Sequence, residues 1–117
     1  MARKKLIRLK EVYNLPNVFS SENENVEELL DYYFGNGEPF TLEIGCGHGD
    51  YTIELAKMYP ERNFIGIDYK GDRIYAAAEN ANELNLKNAT FLVSGAEKLS
   101  DIFNKYLFNF LFTKYIR

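Results

Sequence analysis

The sequence predicts an α/β fold built on an open parallel sheet, and three observations carry that prediction. Apolar runs of strand length alternate with segments of helical periodicity. The first of the runs that frame the site enters a glycine-rich turn, Thr41-Leu-Glu-Ile-Gly-Cys-Gly-His-Gly-Asp50, and the next closes on a carboxylate, Phe64-Ile-Gly-Ile-Asp68. Strands that alternate with helices pair in parallel through right-handed crossovers. At 117 residues, 46% hydrophobic and 15% aromatic, the chain suits one such domain and hardly two.

The elements follow in order. Residues 1–22 predict an extended basic arm, because Pro16 and Ser20-Ser21 disfavour a long regular element. Residues 22–34 predict a helix: Val26, Leu29, Leu30 and Tyr33 recur at helical spacing behind candidate caps at Ser21 and Asn23, and Gly35-Asn36-Gly37 ends it. Residues 40–44 form the first strand, 50–59 a helix stopped by Pro60, and 63–67 the second strand. Residues 71–86 are alanine-rich and helical, 89–93 a third strand, 97–103 a helical turn or two, and 107–112 a fourth apolar run. The expected organisation is an arm over 1–22 and one domain over 23–117. No internal repeat and no low-complexity segment interrupts it.

Charge and cysteine usage narrow the setting. A net charge of −3 offers no global attraction for nucleic acid, yet the first ten residues hold Arg3, Lys4, Lys5, Arg8 and Lys10 without an acid. The single cysteine forms no internal disulfide, and the sequence shows no signal peptide and no apolar run of membrane-spanning length, so a cytoplasmic protein without a membrane partner is expected. Cys46 reads as a small packing residue of the turn. His48 reads as a variable turn position with no metal or catalytic partner.

The glycine turn and the two carboxylates carry the functional argument. Gly45, Gly47 and Gly49 form G-x-G-x-G rather than the dinucleotide pattern G-x-G-x-x-G, so an adenosine-like cofactor fits better than a pyrophosphate on the helix N-terminus. Glu43 would repel a pyrophosphate but suits a ligand carrying an ammonium or sulfonium charge. Asp68 can accept both hydroxyls of a ribose. Taken singly, the turn is a strand-to-helix joint, Glu43 a solvated charge and Asp68 a helix N-cap. Taken as an ordered set at strand ends in βαβ spacing, they point to a cofactor site.

These features resemble the first two motifs of the class I S-adenosylmethionine-dependent methyltransferases. The opening Met-Ala-Arg-Lys-Lys-Leu-Ile-Arg-Leu-Lys-Glu-Val-Tyr-Asn-Leu-Pro-Asn-Val-Phe19 narrows the resemblance when joined to the glycine turn, Tyr59-Pro60, Asn63-Phe-Ile-Gly-Ile-Asp68 and Leu86-Lys-Asn-Ala-Thr-Phe91. From residue 1 to about 103 the chain looks like the bacterial tRNA (guanine-N7)-methyltransferases. The resemblance implies a Rossmann-like class I methyltransferase sheet and methyl transfer from S-adenosylmethionine to N7 of a guanine in the tRNA variable loop. It implies that Glu43 sits near the methionine end of the cofactor, that Gly45 and Gly47 pass beneath it, and that Asp68 binds the ribose. The family's next cofactor contact is an Asp or Asn followed by Ala; here Gly95-Ala96 stands there, so Ala96 frames the base and Glu97 is either a substitute for the missing side chain or a surface charge. Arg3, Lys4 and Lys5 would meet tRNA phosphates. No catalytic residue is implied, because guanine N7 carries no proton for a base to remove.

The family's segment of Asp-Pro-Trp-Pro character, with basic residues and His after it, has no counterpart, and the chain contains no tryptophan. The expectation is a sheet truncated after about the fourth strand, inactive as it stands, with an open apolar edge that favours self-association. Two other readings stay open: a class I methyltransferase with a small-molecule or protein substrate, which would not need the arm, and a non-catalytic S-adenosylmethionine-binding remnant.

Overall fold

The computed structural model describes residues 2–103 and 109–111. A five-stranded, all-parallel sheet forms its centre: β1 (Val18–Ser20), β2 (Phe40–Ile44), β3 (Asn63–Asp68), β4 (Ala89–Val93) and β5 (Asn109–Leu111), in the order β1-β4-β3-β2-β5. The helices are α1 (Ala2–Glu11), α2 (Val26–Phe34), α3 (Asp50–Met58), α4 (Gly71–Glu83) and α5 (Leu99–Ile102), with 3₁₀ turns at Val12–Asn14 and Ala96–Lys98.

The sheet is buried on both faces, as a parallel sheet should be. Alternation along each strand sorts its side chains. Phe40, Leu42, Ile65, Ile67 and Leu92 pack with Val26 and Leu30 of α2 and Leu99 of α5. On the opposite face Phe91 and Cys46 pack with Ile53 of α3 and Ile74, Ala77, Ala78 and Ala81 of α4. Gly66 sits between these groups because a side chain there would come within 3.0 Å of the Phe91 ring and the Cys46 sulfur. The chain runs β2, β3, β4 in one direction across the sheet and returns to β5 on the far side of β2. That reversal opens the crevice at the carboxyl ends of the strands, where α/β sheets bind ligands.

The first 22 residues correct the expectation of an extended arm. Residues 2–11 contain no Gly or Pro and are mostly strong helix formers, and they fold as α1, which packs against α4. Pro16 lies beyond that helix and precedes β1, an edge strand paired with β4 in the register Val18↔Phe91 to Ser20↔Val93. Helix α2 begins at Val26 rather than at residue 22, because Ser20 closes a turn instead: its carbonyl accepts the Asn23 N–H at 3.1 Å and its hydroxyl the Glu22 N–H at 3.1 Å. Of the fourth apolar run, residues 109–111 form β5 and the remainder lies outside the described residues.

Candidate functional site

Strand β2 ends at Ile44, and the chain reverses into α3 through a turn in which Gly45, Gly47 and Gly49 hold φ of 74°, 59° and 80°. L side chains rarely adopt this left-handed region, so three alternate glycines are a backbone requirement. The turn is tied to the end of β3. The Gly45 and Cys46 N–H groups both donate to the Ile67 carbonyl, at 2.7 and 2.9 Å, and the Gly47 N–H donates to Asp68 Oδ2 at 2.9 Å.

Asp68 is 5% exposed, and each of its carboxylate oxygens receives a backbone donor. Oδ2 takes Gly47, and Oδ1 takes the Lys70 N–H at 3.0 Å. An ionised carboxylate has about four acceptor positions, so capacity remains on both oxygens for two further hydroxyls. Asp68 is not a helix N-cap: Lys70 occupies that position for α4. Instead Asp68 forms an Asx turn that aims the start of α4. Its own carbonyl accepts the Ser94 N–H at 3.0 Å, which joins the ends of β3 and β4.

Glu43 is 4% exposed and is therefore not a solvated surface charge. It lies opposite Gly66 in the β2–β3 register, on the face toward α3, where the Thr52 hydroxyl donates to Glu43 Oε1. A buried carboxylate costs several kcal/mol unless it is hydrogen-bonded, and Thr52 supplies such a bond.

Two clefts open at this end of the sheet. One, of about 660 Å³, is lined by Glu43, Cys46, Gly47, His48, Tyr51 and Arg73 among others. The other, of about 410 Å³, is lined by Tyr69, Ser94, Gly95, Ala96 and Glu97 among others. Asp68 joins them, its carboxylate bonded to Gly47 of the first and its carbonyl to Ser94 of the second. Glu43 and Gly47 thus line the first cleft, Gly95 and Ala96 the second, and Asp68 bridges the two at the strand ends, while the Gly45 N–H is committed to Ile67. The Glu97 carboxylate folds back over Gly95 and fills the space a side chain there would occupy. Arg3, Lys4 and Lys5 are exposed on α1 and line neither cleft.

Thr52, Arg73 and Tyr69 were not legible as site residues. Arg73 lines the first cleft from α4 and Thr52 bonds Glu43 from α3, and sequence spacing on a helix reports only that helix. Tyr69 had a signal that passes easily unnoticed: an aromatic residue directly after the strand-end Asp68. At the rim, Lys98 Nζ donates to Glu22 Oε2 at 2.8 Å, an exposed pair that holds the Glu22 carboxyl below its ordinary range and raises the Lys98 ammonium.

A family model described as a methyltransferase domain matches residues 40–116, the segment that contains the glycine turn, both carboxylates and the end of β4. The chain belongs to the methyltransferase-domain family. The chain is 39% identical over 106 residues to a tRNA (guanine-N7)-methyltransferase of Cytophaga hutchinsonii, covering 88% of this chain and 48% of that protein. It is 40% identical over 110 residues to the protein of the same name in Christiangramia forsetii, covering 87% and 49%. The chain therefore spans about half the length of these relatives. Among solved structures, an antibiotic-related methyltransferase superposes with a TM-score of 0.55 at 20% identity, covering 66% of this chain and 41% of that one. An antibiotic-resistance methyltransferase, Kmr, superposes at 0.51 and 20% identity, covering 59% and 34%. These likenesses establish the Rossmann-like class I methyltransferase fold. Among the described residues, no helix is long and apolar enough to cross a membrane.

Proposed function

We propose that this methyltransferase domain binds S-adenosylmethionine and serves methyl transfer to N7 of a guanine in tRNA. The observation that carries the reading is the pair of buried carboxylates, Glu43 and Asp68, at the ends of adjacent strands with the glycine turn hydrogen-bonded between them. S-adenosylmethionine supplies an electrophilic methyl on a sulfonium centre. Glu43, at the larger cleft, complements the cationic methionine end. Asp68 accepts the ribose hydroxyls on the acceptor positions its two backbone donors leave open. Gly47 has no side chain to obstruct the ligand's approach to the backbone, Gly45 fixes the turn, and Gly95 and Ala96, with the Glu97 carboxylate folded over Gly95, wall the base. Burial of both carboxylates strengthens their attraction for a cation relative to water.

Guanine N7 is already a nucleophile, so the protein's contribution is alignment, with a gain of up to about 7–11 kcal/mol where the geometry is good. Arg3, Lys4 and Lys5, clustered on α1, are suited to tRNA phosphates, and the names of the relatives make tRNA the first substrate to test. The test is incubation of the protein with S-adenosylmethionine labelled in its methyl group and an unmodified tRNA transcript, followed by mapping of the modified base. Label at a guanine N7 supports the proposal. Cofactor binding with no transfer to tRNA overturns its catalytic half and leaves a cofactor-binding domain; transfer to a small molecule or protein instead overturns its substrate half.

A further inference from the structure

We propose that Tyr13, carried by the N-terminal segment, forms one wall of the subsite that holds the cofactor's purine and covers that base together with Tyr69; the inference rests on Asp68 binding the ribose. The smaller cleft is lined by Tyr13, Tyr69, Gly95, Ala96, Glu97 and Lys98 among others. Both tyrosines are strongly exposed, at 54% and 69%, so two large aromatic side chains stand in water around one opening. Aromatic surface of this kind gains by covering a flat ligand, and a purine presents a π face of matching size. Tyr69 directly follows Asp68, whose carbonyl accepts the Ser94 N–H of this cleft, so a nucleoside whose ribose sits on Asp68 has this cleft within reach of its base.

Tyr13 is displayed on a fixed strap. Its neighbour Val12 is 1% exposed and sits in the core cluster of α4. Asn17 is fully buried; its Nδ2 donates to the Ala78 carbonyl at 3.1 Å, its Oδ1 accepts from Asn82 Nδ2 at 3.0 Å, and its carbonyl accepts the Phe91 N–H at 2.9 Å. The Glu22–Lys98 pair ties the far end of the strap to the segment after β4. With its backbone held this way, Tyr13 has only its own side-chain torsions to fix on binding, which limits the entropic cost. The Glu97 carboxylate over Gly95 adds base selectivity, because an ionised carboxylate only accepts hydrogen bonds. It can take the 6-amino group of adenine and would oppose the 6-oxo group of guanine. The segment that leads from the basic helix is thereby part of the cofactor site.

The chain contains no tryptophan, so Tyr13→Trp introduces a single indole at the proposed wall. Titration of that variant with S-adenosylhomocysteine should give a saturable change in indole emission. In calorimetry Tyr13→Ala should bind about fivefold or more weakly than the parent. Tyr13→Phe should retain binding, and Tyr32→Ala, 88% exposed on α2 and outside the cleft, should be unaffected. Parent-like affinity in Tyr13→Ala, or a silent indole while calorimetry reports binding, overturns the role of Tyr13 and leaves the cofactor reading intact. Failure of the unsubstituted chain to bind S-adenosylhomocysteine overturns both.

Discussion

Gly49 separates two demands that a glycine-rich turn places on its backbone, and Gly49→Ala measures them. At φ of 80° an alanine carries a left-handed penalty of about 1–2 kcal/mol. Its Cβ would also lie 2.6 Å from Ala77 Cβ and 3.0 Å from the Phe91 ring, both fully buried, and overpacking of this kind costs about 1–3 kcal/mol. The lower entropy of the unfolded alanine chain returns about 0.4–1 kcal/mol, leaving a net loss of about 1–5 kcal/mol. Gly37→Ala is the matched control, because Gly37 has φ of 69° but nothing within 4 Å of the added carbon. It should cost about 1 kcal/mol or less. Urea unfolding followed by far-UV circular dichroism gives both values. Combining Gly49→Ala with Ala77→Gly should recover part of the packing loss against a helix penalty of about 1 kcal/mol, which a double-mutant cycle isolates. Equal destabilisation by Gly49→Ala and Gly37→Ala would refute the packing argument and leave only the backbone requirement.

Thr52→Val keeps the side-chain shape but removes the donor to Glu43; with that buried bond lost, unfolding stability should fall by about 1–3 kcal/mol in the same assay, and an unchanged midpoint would mean the bond contributes nothing. Replacing Arg3, Lys4 and Lys5 by Gln should weaken tRNA binding and reduce the dependence of log affinity on log salt by about 2–3 units; an identical slope would remove α1 from the interface. The β5 edge, outermost on its side among the described residues, is proposed to pair with a second chain, so light scattering after size exclusion should report oligomers, and a sharp monomer peak would contradict this.

Strands β2 and β4 coincide with the sequence expectation residue for residue, because apolar runs bounded by Pro39 and Gly45, and by Asn88 and Ser94, leave little choice of ends. Glu43 and Asp68 stand out as candidates for a related reason, since a carboxylate at the end of an apolar strand is unusual there, and the structure buries both. Residues 2–11 form a helix rather than an arm because Pro16 and the serines constrain only the chain beside them. Strand β1 is three residues long, and the bonds of Asn17 to Ala78 and Phe91 that seat it beside β4 join residues more than 60 positions apart. No local pattern encodes such a contact. The same holds for Tyr13, which meets its cleft, and Thr52, which meets Glu43, only once the chain has folded.

We propose that the crevice between the ends of β2, β3 and β4 holds S-adenosylmethionine through Asp68. Isothermal titration with S-adenosylhomocysteine, run on the protein and on Asp68→Asn, tests it most directly. One saturable site, weakened about tenfold or more in Asp68→Asn while that variant still unfolds cooperatively, is the predicted result, since a hydrogen bond to a charged group contributes about 1.5–3 kcal/mol. Absence of binding to the unsubstituted protein, or equal affinity in folded Asp68→Asn, would contradict it.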